Sequence, residues 1–178
     1  TGYNLDSSKP GIITNVVGLQ TELMQTESTF TAAGWDFVDE ILNGTHQLWQ
    51  MPIEGGHPVL SYFNGYIPVV LSGQGSLSSP YLINNAVELG AMYYYDRNAY
   101  YRLQADIDLS GIQWSTAVIP VFGGDFDGNG HTIHNLMIDT AGANLVDLGL
   151  FGKIDGATAQ VKNLGLGNFN IMGRSEER

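Results

Sequence analysis

The chain has 178 residues, and its 43% apolar and 11% aromatic content is enough to build a packed core. Lysine and arginine number 7 against 18 acidic residues, so the formal charge is −11, which argues against a general affinity for nucleic acid or anionic membranes. The absence of cysteine excludes a fold held by disulfides. No apolar run approaches the roughly 18 residues that a membrane-spanning helix needs.

The first part of the chain mixes turn signals with short apolar segments. Residues 1–17 hold a Gly- and Asn-punctuated apolar stretch, which indicates turn, strand and turn. The next pattern favours brief helices that end at Gly34, followed by two short aromatic strands at 35–38 and 48–51. Between these strands, Asn43-Gly44-Thr45 is a hairpin-turn signal that also matches the acceptor pattern for N-glycosylation.

The second part of the chain follows a Ser- and Gly-rich loop at 72–80, which marks a boundary between two modules. A strand is predicted at Pro80–Ile83, and Asn84-Asn85 then provides a cap for a short helix over 86–92, where apolar residues have helical spacing. From there to about Ile171 the pattern predicts strands and turns.

A short phrase recurs three times in this second part, at nearly constant spacing. Its copies are Asp106–Leu109, Asn135–Ile138 and Asn163–Leu166, whose first residues are 29 and then 28 positions apart. Each copy reads Asp or Asn, apolar, variable, apolar, so two apolar side chains fall on one face of a strand. A period of this length is typical of one coil of a β-solenoid, in which each strand stacks on its own image.

Several longer phrases carry a resemblance to a known class of proteins. They are Phe126–Ile133, Leu148–Gly152 and Val161–Leu164, preceded by the segment from Pro80 to Gly111. Together they resemble the GLUG-repeat class of bacterial surface proteins. The phrase Ala33–Phe37, with its Gly-Trp-Asp sequence, is similar to the segment that closes one such array before the next begins.

The resemblance implies an all-β fold, a right-handed parallel β-helix or β-solenoid with a short helical and aromatic closing segment. Residues 1–20 would be the end coil of a preceding array, 21–71 the closing segment, and 72–178 the leading segment and coils of the next array. A unit cut in this phase has an open coil face at each end, which predicts head-to-tail assembly into a filament. The alternative is that the chain is a fragment of a longer protein.

One loop has the pattern of a cation site. Asp125, Asp127 and Asn129, with Gly130, match the first half of an EF-hand calcium loop, in which oxygens at alternate positions face one ion. The position that should supply the bidentate glutamate is Leu136, so the strongest ligand is missing. A turn between two coils, formed by the Asp-Gly and Asn-Gly pairs, is the favoured interpretation.

Other polar residues are candidates for chemistry or for a structural ladder. Asp106 and Asp108 share a face, as carboxylate pairs do in polysaccharide-cleaving β-helices, but only Arg102 lies near them as a basic partner. A capping role for Asp106 through backbone hydrogen bonds is therefore favoured. Asp106, Asn135 and Asn163 open the three phrases and predict a ladder of side chains that bond along the stack.

Tyrosines and histidines complete the set of candidate residues. A cluster of tyrosines could stack on sugar rings or contact another subunit, and packing at the mouth of the coils is the alternative. All four histidines are interpreted as surface or turn residues. The tyrosine cluster comprises Tyr93, Tyr94, Tyr95, Tyr100 and Tyr101.

These patterns favour a structural protein without enzymatic activity, located outside the cell or on its surface, whose partner is another copy of itself. A carbohydrate-binding or adhesion module, with glycans as partners, is the first alternative. A polysaccharide-degrading enzyme is the second, and it ranks last because basic residues do not accompany the acidic pair. No nucleic-acid partner and no membrane span is expected, and no cofactor other than calcium at the 125–129 loop.

Overall fold

The computed structural model describes residues 19–66, 68–143 and 145–173. The predicted end coil at 1–20 therefore lies outside the described residues, except for its last two positions. The division into an end coil, a closing segment and a leading segment with coils stays a prediction.

Short helices occupy three places in the described chain. The best defined is α3, whose N-cap Asn85 accepts a hydrogen bond from the Glu88 amide at 2.9 Å, while the Glu88 carboxylate accepts one from the Asn84 amide at 2.6 Å. These reciprocal bonds confirm the helix predicted after Asn84-Asn85. The α-helices are α1 (Thr21–Met24), α2 (Glu27–Thr31) and α3 (Ala86–Ala91), and two 3₁₀ helices cover Ser61–Asn64 and Met92–Tyr94.

The strands are two to four residues long. The first two form a small antiparallel ladder, and all later ones pair in parallel. The antiparallel strands are β1 (Trp49–Gln50) and β2 (Val59–Leu60). The parallel strands are β3 (Tyr81–Ile83), β4 (Tyr100–Leu103), β5 (Ile107–Asp108), β6 (Gln113–Trp114), β7 (Ile119–Phe122), β8 (Asp125–Asp127), β9 (Thr132–His134), β10 (Met137–Asp139), β11 (Phe151–Ile154), β12 (Gln160–Lys162), β13 (Gly165–Gly167) and β14 (Asn170–Met172).

Eleven of the twelve parallel strands are arranged in three successive layers, and β3 pairs with β4 on the outer side of the first of them. We call β4 to β7 the first layer, β8 to β11 the second layer and β12 to β14 the third layer. Each strand pairs with its counterpart in the adjacent layer, so the four parallel sheets have the orders β3-β4-β8-β12, β5-β9-β13, β6-β10-β14 and β7-β11. The core lies between these sheets, where most inward side chains of the first two layers are buried. An exception is Ile154 of β11, which is 52% exposed opposite the buried Phe122.

The predicted fold class, an all-β right-handed parallel β-helix, is wrong for this chain. The described residues combine three α-helices and two 3₁₀ helices with five short separate sheets, one of them antiparallel. The secondary structure is therefore mixed. The strands are only two to four residues long and their connections differ in length, so they pair in short separate sheets instead of long continuous ones.

The phase of the predicted repeat is also wrong. The phrases suggested that Ile107, Leu136 and Leu164 are equivalent, but the pairing places Ile107 opposite Ile133, and Ile133 opposite Leu166. The connections between strands differ in length from one layer to the next, which shifts the phrases relative to the strands. The step from Asp127 to Thr132 spans five positions, whereas the equivalent step from Lys162 to Gly165 spans three.

Candidate functional site

The apolar core is covered at one end of the stack and open at the other. Three columns of inward side chains run through the layers, and their members in the first and second layers are at most 2% exposed. In the third layer the same columns end in Val161, Leu166 and Ile171, which are 36%, 53% and 41% exposed. The columns are Tyr101, Phe126 and Val161; Ile107, Ile133 and Leu166; Trp114, Ile138 and Ile171.

Phe169 adds to this exposed region, since 60% of its surface is accessible. We call Val161, Leu166, Phe169 and Ile171 the third-layer apolar surface. Beside them lies a largely apolar hollow of about 170 Å³, bordered by Ile133 and residues 149–150 as well as by members of this surface. An exposed patch with a hollow of this kind is a common feature of surfaces that bind another protein.

The backbone of the third layer is open as well. Strands β12, β13 and β14 are each the last strand of their sheet, so among the described residues one edge of each has no strand partner. An edge strand presents unpaired amides and carbonyls that can accept a further strand. The third layer thus offers apolar side chains and free backbone groups on the same face.

The opposite end of the stack is covered by residues 36–47, which we call the cap segment. The Leu42 carbonyl accepts a hydrogen bond from Gln113 of β6 at 2.7 Å, and the His46 ring Nε2 lies 2.5 Å from the Val118 carbonyl. Thr45 donates its hydroxyl to the Ala86 carbonyl of α3 at 2.9 Å. The cap segment is therefore anchored to the first layer and to α3.

A buried carboxylate organises the cap segment. Asp36 accepts hydrogen bonds from the backbone amides of His46 at 2.8 Å and Gln47 at 2.9 Å, one on each oxygen. Burial raises the pKa of Asp36 to about 7, although the two amides favour the charged form. Burial also lowers the pKa of His46, which the Val118 carbonyl opposes. Of the two predicted roles of His46, surface or turn residue, the surface role is wrong, because His46 is buried in a bend of the chain.

The loop proposed for calcium has its oxygens engaged by protein groups. Asp125 accepts from the Lys162 ammonium at 2.7 Å, and Asp127 accepts from Arg102 at 3.3 Å and from the Asn163 side chain at 3.0 Å. The Asn129 side chain donates to a backbone carbonyl, and its backbone has a φ of 53° in a turn. Within the described residues, no group of three or more His, Cys, Asp or Glu side chains could hold a metal ion.

The ion pairs of this loop form a charged column across three strands. Asp127 lies between Arg102 of β4 and Lys162 of β12 in the strand register. Burial opposes the charge of Asp127, but hydrogen bonds from Asn163 and Asn129 and the two cations hold its pKa below the ordinary value. Signs thus alternate from layer to layer, and the column ends on Lys162, whose side chain is 41% exposed.

The acidic pair at Asp106 and Asp108 connects the first two layers. Asp106 accepts from the Thr132 amide at 2.9 Å and contacts the His131 ring at 3.1 Å. Asp108 accepts from the Asn135 side chain at 2.8 Å and from Ser110. These hydrogen bonds lower the pKa of both carboxyls. Both groups therefore bond to backbone and side chains of adjacent strands and turns, and no basic Lys or Arg contact is described for them.

The register separates the residues of the predicted ladder. The Asn135 amide donates to the Gly167 carbonyl, beside Asn168, and both asparagines have left-handed backbone angles in equivalent turns. Asn163 lies in a different turn, where its carbonyl accepts from Gly130 at 2.9 Å. Asp106 faces Thr132 in yet another position. A continuous ladder of Asp106, Asn135 and Asn163 is thus not formed.

The tyrosine cluster packs loops against the core. Three tyrosine hydroxyls donate hydrogen bonds to backbone carbonyls: Tyr94 to Gln47 at 3.1 Å, Tyr95 to Val69 at 3.2 Å, and Tyr101 to Asp96 at 2.8 Å. Tyr101 is buried, and burial raises its pKa well above the ordinary range. The hydroxyls therefore hold neighbouring segments of the chain rather than projecting into solvent.

The other two tyrosines of the cluster are more accessible. Tyr93 is 48% exposed and its ring centroid lies 4.9 Å from that of His46, while Tyr100 is half-buried and opposes Asp125 in the strand register. A hollow of about 260 Å³ opens beside Tyr93 and Arg97, and Phe122 forms part of its wall. This hollow is the part of the cluster that could hold a small ligand.

The sequence analysis did not predict the contacts of the cap segment. It also assigned the wrong register to the strands that carry the third-layer apolar surface. The Asp36 and His46 contacts join positions that are distant in sequence, and His46 reaches Val118 across 72 positions. The signal for Asp36 was weak: an acid in an aromatic segment, ten residues before a histidine. For the third-layer surface the signal was clearer, since Val161 and Leu166 stand in alternating apolar and polar segments.

Comparison with known proteins gives one distant similarity. The chain is 36% identical to halomucin of Haloquadratum walsbyi over 126 residues, which is 62% of this chain and 1% of halomucin. The chain thus spans a very small part of that relative. No family model matches the chain, and no solved structure does. The similarity to halomucin indicates an extracellular or cell-surface setting.

The helices of the described residues are also relevant to location. None of them is long and apolar enough to cross a membrane.

Proposed function

We propose that this protein is a structural component of an extracellular or cell-surface assembly, in which copies associate head to tail. The third layer would receive a further layer of parallel strands from a second copy. The observation that carries this proposal is the exposure of three core columns at the third layer, although their members in the first and second layers are buried. The similarity to halomucin supports the setting.

Two forces would favour such an association. Burying a fully exposed aliphatic or aromatic side chain contributes roughly 1.5–3 kcal/mol. The four residues of the third-layer apolar surface are 36–60% exposed, so covering each of them contributes part of that amount. A docked strand would also satisfy the free amides and carbonyls of β12, β13 and β14. Together they oppose the entropy lost on association.

The proposal predicts that assembly depends on the third-layer apolar surface. We expect the full chain to form end-to-end particles in negative-stain electron microscopy, and to sediment faster as its concentration rises. Leu166→Glu should abolish this behaviour, because a carboxylate would be buried at the contact. The matched control is Leu77→Glu, which makes the same change at a leucine that is 74% exposed in the loop before β3.

Two results would overturn the proposal. One is a wild-type chain that stays a single monodisperse species at all concentrations, in the presence and absence of calcium. The other is equal loss of assembly in Leu166→Glu and Leu77→Glu, which would show that the third layer has no special role. Circular dichroism of both variants verifies that each remains folded.

A carbohydrate-binding role is the second candidate function. The hollow beside Tyr93 favours it, since aromatic faces suit sugar rings and Arg97 could bond to hydroxyl groups. Tyr93→Ala should then abolish retention on a glycan array, while the accessible Tyr62→Ala serves as control. Retention that survives both substitutions would contradict this role. In either case we propose a protein without catalytic activity.

A further inference from the structure

We infer that the hollow beside Tyr93 binds a sugar that carries a carboxylate, with the Arg97 guanidinium as the partner of that carboxylate. This inference rests on the carbohydrate-binding role proposed above, and it names the class of sugar that the same hollow would hold. It does not depend on the head-to-tail assembly, because the hollow is bordered by residues 92–97 and by β7 rather than by the third-layer apolar surface.

Arg97 differs from the other cationic side chains of the described chain in having no carboxylate partner there. The described residues include four lysines and arginines. The other three form ion pairs: Arg102 with Asp127 at 3.3 Å, Lys153 with Asp155 at 3.1 Å, and Lys162 with Asp125 at 2.7 Å. Within this part of the chain, the guanidinium of Arg97 therefore remains available to an anionic group of a ligand.

The backbone around Arg97 is fixed beside the hollow. The Arg97 carbonyl accepts a hydrogen bond from the Gly123 amide at 2.9 Å, immediately after β7. The Asp96 carboxylate accepts one from the Asn98 amide at 2.9 Å, and the Asp96 carbonyl accepts one from the Ala99 amide at 3.0 Å. These bonds hold the turn that carries the Arg97 side chain, so little backbone freedom is lost when the guanidinium binds a ligand.

The charges around the hollow favour an anionic ligand. Among the described residues, no Asp or Glu side chain borders the hollow. The nearby acid Asp96 is held in the turn just described, and Asp155, which follows β11, is paired with Lys153. Lys153 itself lies opposite Val121 of the hollow in the register of β7 and β11. A carboxylate in the hollow would therefore be attracted to Arg97, with a second cation on the neighbouring strand.

The walls of the hollow suit the body of a sugar ring. Tyr93 is 48% exposed, and the rings of His46 and Tyr94, whose centroids lie 4.9 and 5.2 Å away, fix its position. Pro120 and Val121 form a further part of the wall. The C–H face of a pyranose ring packs well on such aromatic and aliphatic surfaces. The volume of about 260 Å³ is just below the roughly 300 Å³ at which ordinary ligand sites begin, so we expect a single ring.

The tyrosine hydroxyls of the hollow explain why the sugar should be charged. Tyr95 and Tyr101 border the hollow, but their hydroxyls donate to the Val69 and Asp96 carbonyls. Neither hydroxyl is free to donate to a neutral sugar. A carboxylate, in contrast, can form a bidentate pair with the Arg97 guanidinium. The main polar contact that the hollow offers is therefore one that only a carboxylated sugar uses fully.

Two sugars that differ only in the carboxylate test the inference. The full chain is titrated with methyl glucuronide and with methyl glucoside, and binding is followed by NMR. We expect the glucuronide to bind about tenfold more tightly, the difference that a charge-assisted hydrogen bond supplies. Arg97→Gln should remove this preference. The matched control is Arg102→Gln, because that arginine is already paired with Asp127 and should leave both affinities unchanged.

A conservative variant separates the charge of Arg97 from its role in the turn. Arg97→Lys keeps the positive charge but cannot form a bidentate pair, so it should retain part of the preference for the glucuronide. Added salt should weaken glucuronide binding and leave glucoside binding unchanged. Complete loss of the preference in Arg97→Lys, together with salt-independent binding, would contradict an ionic contact.

The results separate this inference from the carbohydrate-binding role itself. If both sugars bind equally and Tyr93→Ala abolishes both, the role stands and the inference is overturned. If neither sugar binds, both are overturned. If acetate or a short glutamate peptide binds as tightly as the glucuronide, the hollow recognises a carboxylate without a sugar, and the inference is again overturned. None of these results bears on the head-to-tail assembly, which sedimentation measures separately.

Discussion

The two ends of the layered stack differ in how their strands terminate. At the first-layer end, the cap segment supplies a backbone carbonyl to Gln113 and a histidine ring to Val118, and the core beneath it is buried. At the third-layer end, the described residues supply no comparable cover, and Leu166 remains 53% exposed. The difference shows that a stack of parallel strands is not closed by its own geometry. It requires a separate segment with its own polar network.

Covering the first-layer end changes the pKa values of ionisable groups in the cap segment. Closing the first-layer end buries the Asp36 carboxyl and the His46 ring, and both have shifted pKa values in consequence. The third-layer apolar surface consists of exposed apolar side chains and contains no buried ionisable group. The first-layer end is therefore a closed and buried core, whereas the third-layer end exposes apolar side chains, as protein contact surfaces do.

The largest expected effect distinguishes the buried layers from the open one. Phe126→Ala in the second layer should lower the free energy of unfolding by about 3–5 kcal/mol, because it leaves a cavity in a closed core. Leu166→Ala in the third layer should lower it by about 1 kcal/mol or less. Urea denaturation measured at low protein concentration provides both values. Similar losses for the two variants would show that the third layer is already covered.

The next prediction concerns how the stability that the cap segment provides depends on pH. The pKa of Asp36 rises from 3.8 to about 7 on folding, so the folded state binds the proton more tightly than the unfolded state. Its contribution to stability is fully present below pH 3.8 and is lost as pH rises through about 7. The full difference is on the order of 4 kcal/mol at about 1.4 kcal/mol per pKa unit.

His46 has the opposite sign, which determines how this experiment is designed. Its lowered pKa contributes stability above its ordinary value of 6.5, and that stability is lost as pH falls. The wild-type profile therefore combines two opposed slopes. Asp36→Asn removes one of them, so the difference between variant and wild type isolates Asp36. A difference that stays constant from pH 4 to 7 would contradict the raised pKa.

A smaller effect tests the close packing inside the cap segment. Gly44 has a φ of +113°, and a Cβ added there would lie 2.8 Å from the Asp36 carboxylate. Gly44→Ala should therefore lower the unfolding free energy by about 2–3 kcal/mol, combining backbone strain with a steric clash. Gly56 is the matched control, since its φ is +120° and a Cβ there meets nothing within 4 Å. Thermal unfolding of the two variants should differ, and equal shifts would remove the clash from the explanation.

The smallest effect concerns the helix against which the cap segment packs. Asn85→Ala removes the side chain that accepts from the Glu88 amide, and should cost about 1 kcal/mol. Asn84→Ala next to it retains the N-cap and should cost less. The measurement is chemical denaturation of both variants, followed by circular dichroism. A larger loss at Asn84 would mean that Glu88, rather than the N-cap, stabilises the start of α3.

The sequence predicted the local elements better than their arrangement. The cap at Asn85 is encoded in adjacent residues, so the helix could be predicted. Parallel pairing of recurrent apolar strands was also foreseen, but its phase was not, because the connections before Thr132 and Gly165 have different lengths. A connection of different length does not change the alternation of inward and outward side chains within a strand. It changes which of the recurrent phrases lie opposite each other.

The candidate site shows the same difference between local features, which the sequence indicates, and long-range contacts, which it does not. The open third layer could be anticipated from apolar positions such as Val161, although the ladder of Asp106, Asn135 and Asn163 could not form in the observed register. The contact of His46 with Val118 had no local signal, because it depends on a long-range approach of two segments. Burial of this kind is determined by tertiary packing and cannot be read from composition.

The number of strand ladders between adjacent layers has a mechanical consequence. Among the described strands, four ladders join the first layer to the second, whereas three join the second to the third. A pull along the stack loads all ladders of one junction at the same time, so the junction with fewer ladders carries more force on each. A stretched copy should therefore release its third layer first. In a chain of copies, tension would open the junctions next to the subunit contacts while the capped ends stay intact.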